Sequence, residues 1–110
     1  MKAVPPTGKS IRWTYDDGPM KGKDFEHHFT NEGTVTWKGA GEQKPSADSN
    51  AQYEYARIDD DVYVFSYLSS SGFTLTSIVN ETAGTVVSFA SNEKQLIIQH
   101  GRLEAKNAAG

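Results

Sequence analysis

The chain contains no cysteine. That excludes a disulfide framework, a zinc–thiolate site and a cysteine nucleophile. It suits a reducing compartment, so a cytoplasmic location is expected. Long apolar runs are missing as well. No segment approaches the ~20 residues a membrane-spanning helix needs, and no membrane partner is expected. Met1 to Gly8 holds Pro5 and Pro6 and no apolar stretch, which reads as neither a signal peptide nor an anchor. Asn80-Glu81-Thr82 fits the glycosylation pattern, but without a secretion signal it reads as a coincidence. Basic residues are in the minority, 11 Lys and Arg against 14 Asp and Glu, and they are dispersed. A phosphate-backbone binder presents a basic face, so no nucleic-acid partner is expected.

Helical periodicity over ten or more residues is absent too. In its place are short alternating or β-branched runs, broken by turn residues about every ten positions, the pattern of a sandwich or barrel. The 110 residues suffice for one core and one domain. The runs are Lys9 to Tyr15, Asp24 to Thr30, Thr34 to Lys38, Gln52 to Ile58, Val62 to Leu68, Phe73 to Asn80, Thr85 to Ala90 and Gln95 to Leu103. The polar stretch Gly39 to Asn50 reads as a long, mobile loop that gates the barrel mouth. The tail from Glu104 to Gly110 reads as frayed. The expected fold is all-β, an eight-stranded antiparallel barrel. Eight strands close around a space just wide enough for side chains or one small ligand, and closure removes exposed edges.

Alternation assigns the faces of each strand. Ile11, Trp13 and Tyr15 should point inward, as should Phe25, His27 and Phe29, then Val35 and Trp37, then Tyr63, Phe65 and Tyr67. Phe73, Leu75, Ser77 and Val79 share a face in the same way. Val62 to Leu68 is apolar on both faces, which predicts a covering layer or a homodimer through that strand. The inward set is rich in rings with a polar tip, which bury well only when that tip finds a partner. A filled core and a ligand cavity both satisfy this pattern.

His27 and His28 are adjacent on a strand and face opposite ways, so they cannot chelate one metal together; a bulge would exchange the two faces. No spacing of the His-Glu-x-x-His kind exists, and no metal is expected. An unperturbed imidazole titrates near neutrality, which makes His27 either a core histidine or a pH-dependent hydrogen-bonding group. Asp16-Asp17 and Asp59-Asp60-Asp61 sit at turns and read as turn chemistry. Ser69-Ser70-Ser71-Gly72 lacks a nucleophile elbow and reads as a hairpin loop. Gly39 to Gly41 carries no phosphate-binding pattern, and no cofactor is expected.

Ile11-Arg12-Trp13-Thr14-Tyr15-Asp16-Asp17-Gly18, Asp61-Val62-Tyr63-Val64-Phe65-Ser66-Tyr67 and Ser91-Asn92-Glu93-Lys94, in that order, resemble the MoaF-type lipocalin-like (calycin) domains and the related phenolic acid decarboxylases. The likeness spans about residues 9 to 104. It implies a small barrel with an internal cavity, and a dimer in the decarboxylase branch. The decarboxylases grip a substrate carboxylate with a Tyr-x-Tyr pair, which here is Trp13 and Tyr15. Their catalytic glutamate aligns with Ser69, and their catalytic arginine falls near Ser49. The resemblance therefore carries over the scaffold and Tyr15, not decarboxylation.

Three readings follow. The first is a barrel binding a partly aromatic or apolar small molecule through Trp13, Tyr15, His27, Trp37, Tyr53, Tyr67 and Ser69. The second is a cofactor-independent lyase or isomerase acting on an aromatic or enol-type acid, with His27 or Tyr15 as acid/base and Arg57 holding a carboxylate. The third is an interaction domain with a filled core.

Overall fold

A computed structural model describes residues 8–39 and 50–104. The strands are β1 (Ser10–Tyr15), β2 (Asp24–Phe29), β3 (Thr34–Gly39), β4 (Asn50–Asp59), β5 (Val62–Leu68), β6 (Thr74–Asn80), β7 (Thr85–Ser91) and β8 (Leu96–Leu103). Each pairs antiparallel with its sequence neighbours, and β8 returns to β1, closing the barrel. The described residues contain no helix. The strand ends differ from the sequence expectation by one or two residues, most at β4, whose register shifts between Arg57 and Asp59. The expected gating loop falls on residues 40–49, outside the described residues; its end residues Gly39 and Asn50 belong to β3 and β4.

The turns are closed by short polar side chains. Thr30 Oγ1 meets Thr34 Oγ1 at 2.7 Å. Asn80 Oδ1 accepts from the Ala83 N–H at 2.9 Å, and Asn92 Oδ1 accepts from the N–H groups of Lys94 and Gln95. These are side chains that mimic a backbone turn. The register of each hairpin then puts every second residue inside. Ile11, Trp13 and Tyr15 are buried while Ser10 is exposed. β2 pairs without a bulge, so His27 is inward and His28 outward, where its Nδ1 meets Ser10 Oγ at 2.8 Å.

The interior is filled unevenly. Trp13, Phe29, Val35, Phe65, Val79 and Val86 are at most 1% exposed. Phe65 is their hub, edge-on to Phe29 at 4.9 Å and to His27 at 5.7 Å. Ring pairs of this geometry are worth about 0.5–1.5 kcal/mol each beyond the area they bury. On the outside, Val64, Ile78 and Val87 lie side by side across β5, β6 and β7, and Phe89 pairs with Ile98 of β8. Leu68, Leu96 and Ile98 on that outer side are well exposed.

The seam between β1 and β8 is short, three residue pairs: Trp13 with Leu103, Thr14 with Arg102, and Tyr15 with Gly101. Gly101 is what lets the strands meet, since a Cβ there would stand 2.7 Å from the Thr14 carbonyl oxygen and 3.3 Å from Trp13 Cδ1. Gly101→Ala is therefore expected to cost about 1–3 kcal/mol in urea denaturation, as overpacking does. Gly39→Ala, whose Cβ would have no neighbour among the described residues nearer than 3.9 Å, is the control, and is expected to stay within about 0.5 kcal/mol.

Candidate functional site

Beyond the packed layer the barrel opens into a cavity of about 280 Å³. It lies at the end that carries the β1–β2 and β5–β6 connections, since Pro19, Met20 and the Ser69–Ser71 turn line it. Every strand but β4 contributes described residues to its lining, mostly from the inward face. Tyr15 of β1, Phe25 of β2, Trp37 of β3 and Tyr67 of β5 supply rings, and Leu75 of β6 and Ile97 of β8 supply aliphatic surface. Trp37 and Tyr67 stack at 4.6 Å.

Besides Gln99 and the Ser69–Ser71 turn, two buried hydrogen-bonded groups interrupt this wall. Tyr15 O–H donates to Ser88 Oγ at 3.0 Å, and Ser88 Oγ meets Ser77 Oγ at 2.9 Å, a buried chain across β1, β7 and β6. On another part of the wall, His27 Nε2 meets the Tyr67 hydroxyl at 2.8 Å. None of the described lining residues is acidic, lysine or arginine. Burial pushes the Tyr15 and Tyr67 hydroxyls up from their ordinary pKa. Ser88 and the Trp13 indole N–H offset part of that for Tyr15, although Trp13 Nε1 closes no hydrogen bond of good geometry. Burial pushes His27 down to about 3. The expectation that His27 switches in the physiological range is thereby corrected: desolvation keeps the ring neutral there.

The connection from β1 to β2 is tied to β8. Asp16 receives both Nε and Nη2 of Arg102, at 2.8–3.1 Å. Asp17 accepts from the His100 N–H at 2.7 Å and meets His100 Nδ1 at 2.8 Å. The Met20 N–H donates to Gln99 Oε1 at 3.0 Å. Gly18 has φ of 79°, and a Cβ there would lie 2.6 Å from Gln99 Cγ; only glycine combines that backbone with that approach. Asp16 and Asp17 thus do more than shape their own turn. Asp59 does what its sequence suggested, accepting from the Asp60 N–H at 2.8 Å.

Of the residues expected at a site, Tyr15, His27, Trp37, Tyr67 and Ser69 line the cavity. Three do not. Trp13 is 0% exposed and stacked flat on His27 at 4.6 Å, so it packs behind that ring. Tyr53 pairs with Tyr67 in register but turns its ring onto Phe29 at 5.1 Å. Arg57 sits opposite Tyr63 near the β4–β5 turn, with its guanidinium on Asp60 at 2.9 Å and on the Asp59 carbonyl. Sequence reasoning missed Ser88 and Gln99 as site residues. Ser88 shares its inward face with Val86, but Val87 and Phe89 make the other face of that strand equally apolar, which hid the direction. Leu75 and Ser77 were placed inward by alternation without being assigned to a site.

A closed eight-stranded antiparallel meander with an interior cavity defines a small lipocalin-like barrel. The family model of the MoaF N-terminal domain matches residues 6–95. The chain belongs to the MoaF N-terminal domain family. Its fold is similar to that of a crystal structure from Burkholderia vietnamiensis provisionally described as a beta-lactamase. The TM-score is 0.73 at 18% identity, covering 94% of this chain and 98% of that one. No curated protein matches the sequence.

The state of His27 sets a pH dependence. The unfolded chain takes up a proton near pH 6.5 that the folded chain refuses until about 3, so stability falls as the pH drops through that window. Between pH 7 and pH 5 the loss from this group is on the order of 2 kcal/mol. Asp17, lowered chiefly by the backbone N–H of His100, acts in the acid range below its ordinary 3.8. Urea denaturation across pH 5–7 should show the slope in the natural chain and a flatter one in His27→Phe, which keeps a ring against Trp13.

Proposed function

We propose that the protein binds a small, partly aromatic molecule inside the barrel. The observation that carries this reading is the cavity of about 280 Å³, walled by Tyr15, Phe25, Trp37 and Tyr67 with hydroxyls at two places. Aromatic walls give large apolar contact with few rotors to freeze, and a small number of placed polar groups fixes orientation. The volume suits a ligand of one or two rings, at the small end of such sites.

The catalytic alternative has less support. It needs Arg57 beside His27 or Tyr15, and Arg57 is engaged with Asp60 away from the cavity lining. A cytoplasmic location accords with the lack of cysteine and belongs to the same proposal.

A second copy of the chain is proposed to cover the outer face of β5–β8. Val64, Ile78, Val87, Phe89, Ile98 and Leu96 form a continuous apolar surface there. A stable dimer needs about 800 Å² of such surface per partner. Sedimentation at tens of micromolar is expected to show a dimer that Leu96→Lys dissociates; a monomer for the natural chain would end this part of the proposal.

Filling the cavity tests the main reading. Leu75→Trp projects an indole into the space and is expected to weaken binding of methyl naphthyl ketone more than tenfold by calorimetry, with the circular dichroism spectrum unchanged. Ile98→Ser, on the outer face, should leave that affinity as it was. Binding indifferent to Leu75→Trp would place the ligand elsewhere.

A further inference from the structure

The cavity is built for an uncharged guest, and the Tyr67 hydroxyl on its wall has its own hydrogen left over. Among the described residues that line it, every side chain is apolar, amide, hydroxyl or a buried imidazole. An anion entering would give up its hydration with no cation to meet it, an expensive transfer. An oxygen that is polar without being charged faces no such penalty if one donor is free.

The position of the His27 proton supplies that donor. Nδ1 is buried and has no hydrogen-bond partner among the described residues, whereas Nε2 lies 2.8 Å from the Tyr67 oxygen. A proton on Nδ1 would be an orphaned buried N–H, which folded proteins rarely tolerate. A proton on Nε2 is satisfied by the Tyr67 oxygen. In that arrangement Tyr67 accepts from His27 and its own O–H has no acceptor among the described residues, so it is available to the cavity that Tyr67 lines. The other tyrosine differs, because Tyr15 already donates to Ser88.

We propose that the cavity selects neutral aromatic carbonyl compounds, with the carbonyl oxygen accepting the Tyr67 hydroxyl hydrogen, and that it rejects the corresponding carboxylates. His27 is a positioning residue in this scheme: it fixes the direction in which Tyr67 donates. The proposal rests on the binding reading above and narrows its ligand class. It also separates this barrel from one that grips a carboxylate through paired tyrosines, since the first tyrosine position is Trp13, buried behind His27.

Three probes of nearly equal shape separate the terms: methyl naphthyl ketone, naphthoate and isopropylnaphthalene. Calorimetry at neutral pH is expected to rank the ketone first, with the hydrocarbon about tenfold weaker for want of one hydrogen bond and naphthoate about a hundredfold weaker or undetectable. Tyr67→Phe should bring the ketone down to the hydrocarbon while leaving the hydrocarbon unchanged. The carbonyl stretch of the bound ketone, isotope-labelled and read by infrared difference, should move to lower frequency in the natural protein. That measurement needs no variant and stands if Tyr67→Phe fails to fold. Naphthoate binding as well as the ketone, or an unshifted carbonyl stretch, overturns this inference and leaves the binding reading intact. If none of the three probes binds, the binding reading itself falls.

Discussion

The contact of β8 with β1 is the constraint on which everything else in this barrel depends. Seven of the eight strand contacts are between chain neighbours, and the eighth joins the two ends of the meander. It rests on three residue pairs and on the bare Cα of Gly101 against the Thr14 carbonyl. Without that approach the sheet has two open edges and no inside. With it, Trp13 and Tyr15 turn inward beside Gly101 and Leu103, and the interior becomes a limited volume to be divided among side chains.

How that volume is divided explains the site. The rings of Trp13, Phe29 and Phe65, with Val35, Val79 and Val86, fill one part of the interior. The remaining part is walled by the rings of Tyr15, Phe25, Trp37 and Tyr67 and by the hydroxyls of Tyr15, Ser77, Ser88 and Tyr67. A filled core and a cavity thus both occur, in different layers. The packed layer also determines the chemistry of the open one. Trp13 lies flat on His27 and helps to bury it, and that burial keeps the imidazole neutral; among the described residues its ring makes one hydrogen bond, to Tyr67.

The fold was largely legible in the sequence because alternation is a local signal. β5 has the limits that its polar flanks imply, and the inward faces of β1, β2 and β5 are the ones that ring-rich alternation indicates. The site was legible only in part, because depth along a strand is not local. Trp13 and Tyr15 share a face, yet one is packed and the other lines the cavity, and only the register against β2 and β8 separates them. Tyr53 and Arg57 show the same limit on β4. They share a face with Tyr55, but the bulge beside Asp59 and the turn carboxylate of Asp60 draw the arginine away. The neutrality of His27 was beyond reach from sequence, since desolvation depends on neighbours contributed by several strands.

The segment from Asp16 to Lys23 is coupled to the closure of the barrel. It carries Pro19 and Met20 over the cavity, and it is held to β8 by the Asp16–Arg102 and Asp17–His100 pairs and by the Gln99 side chain. Each exposed ion pair adds little to equilibrium stability. All three ties nevertheless run to the strand that closes the barrel, so whatever loosens the seam at β8 also loosens this segment. One strand thus serves as both the hoop of the barrel and the anchor of the segment over its cavity.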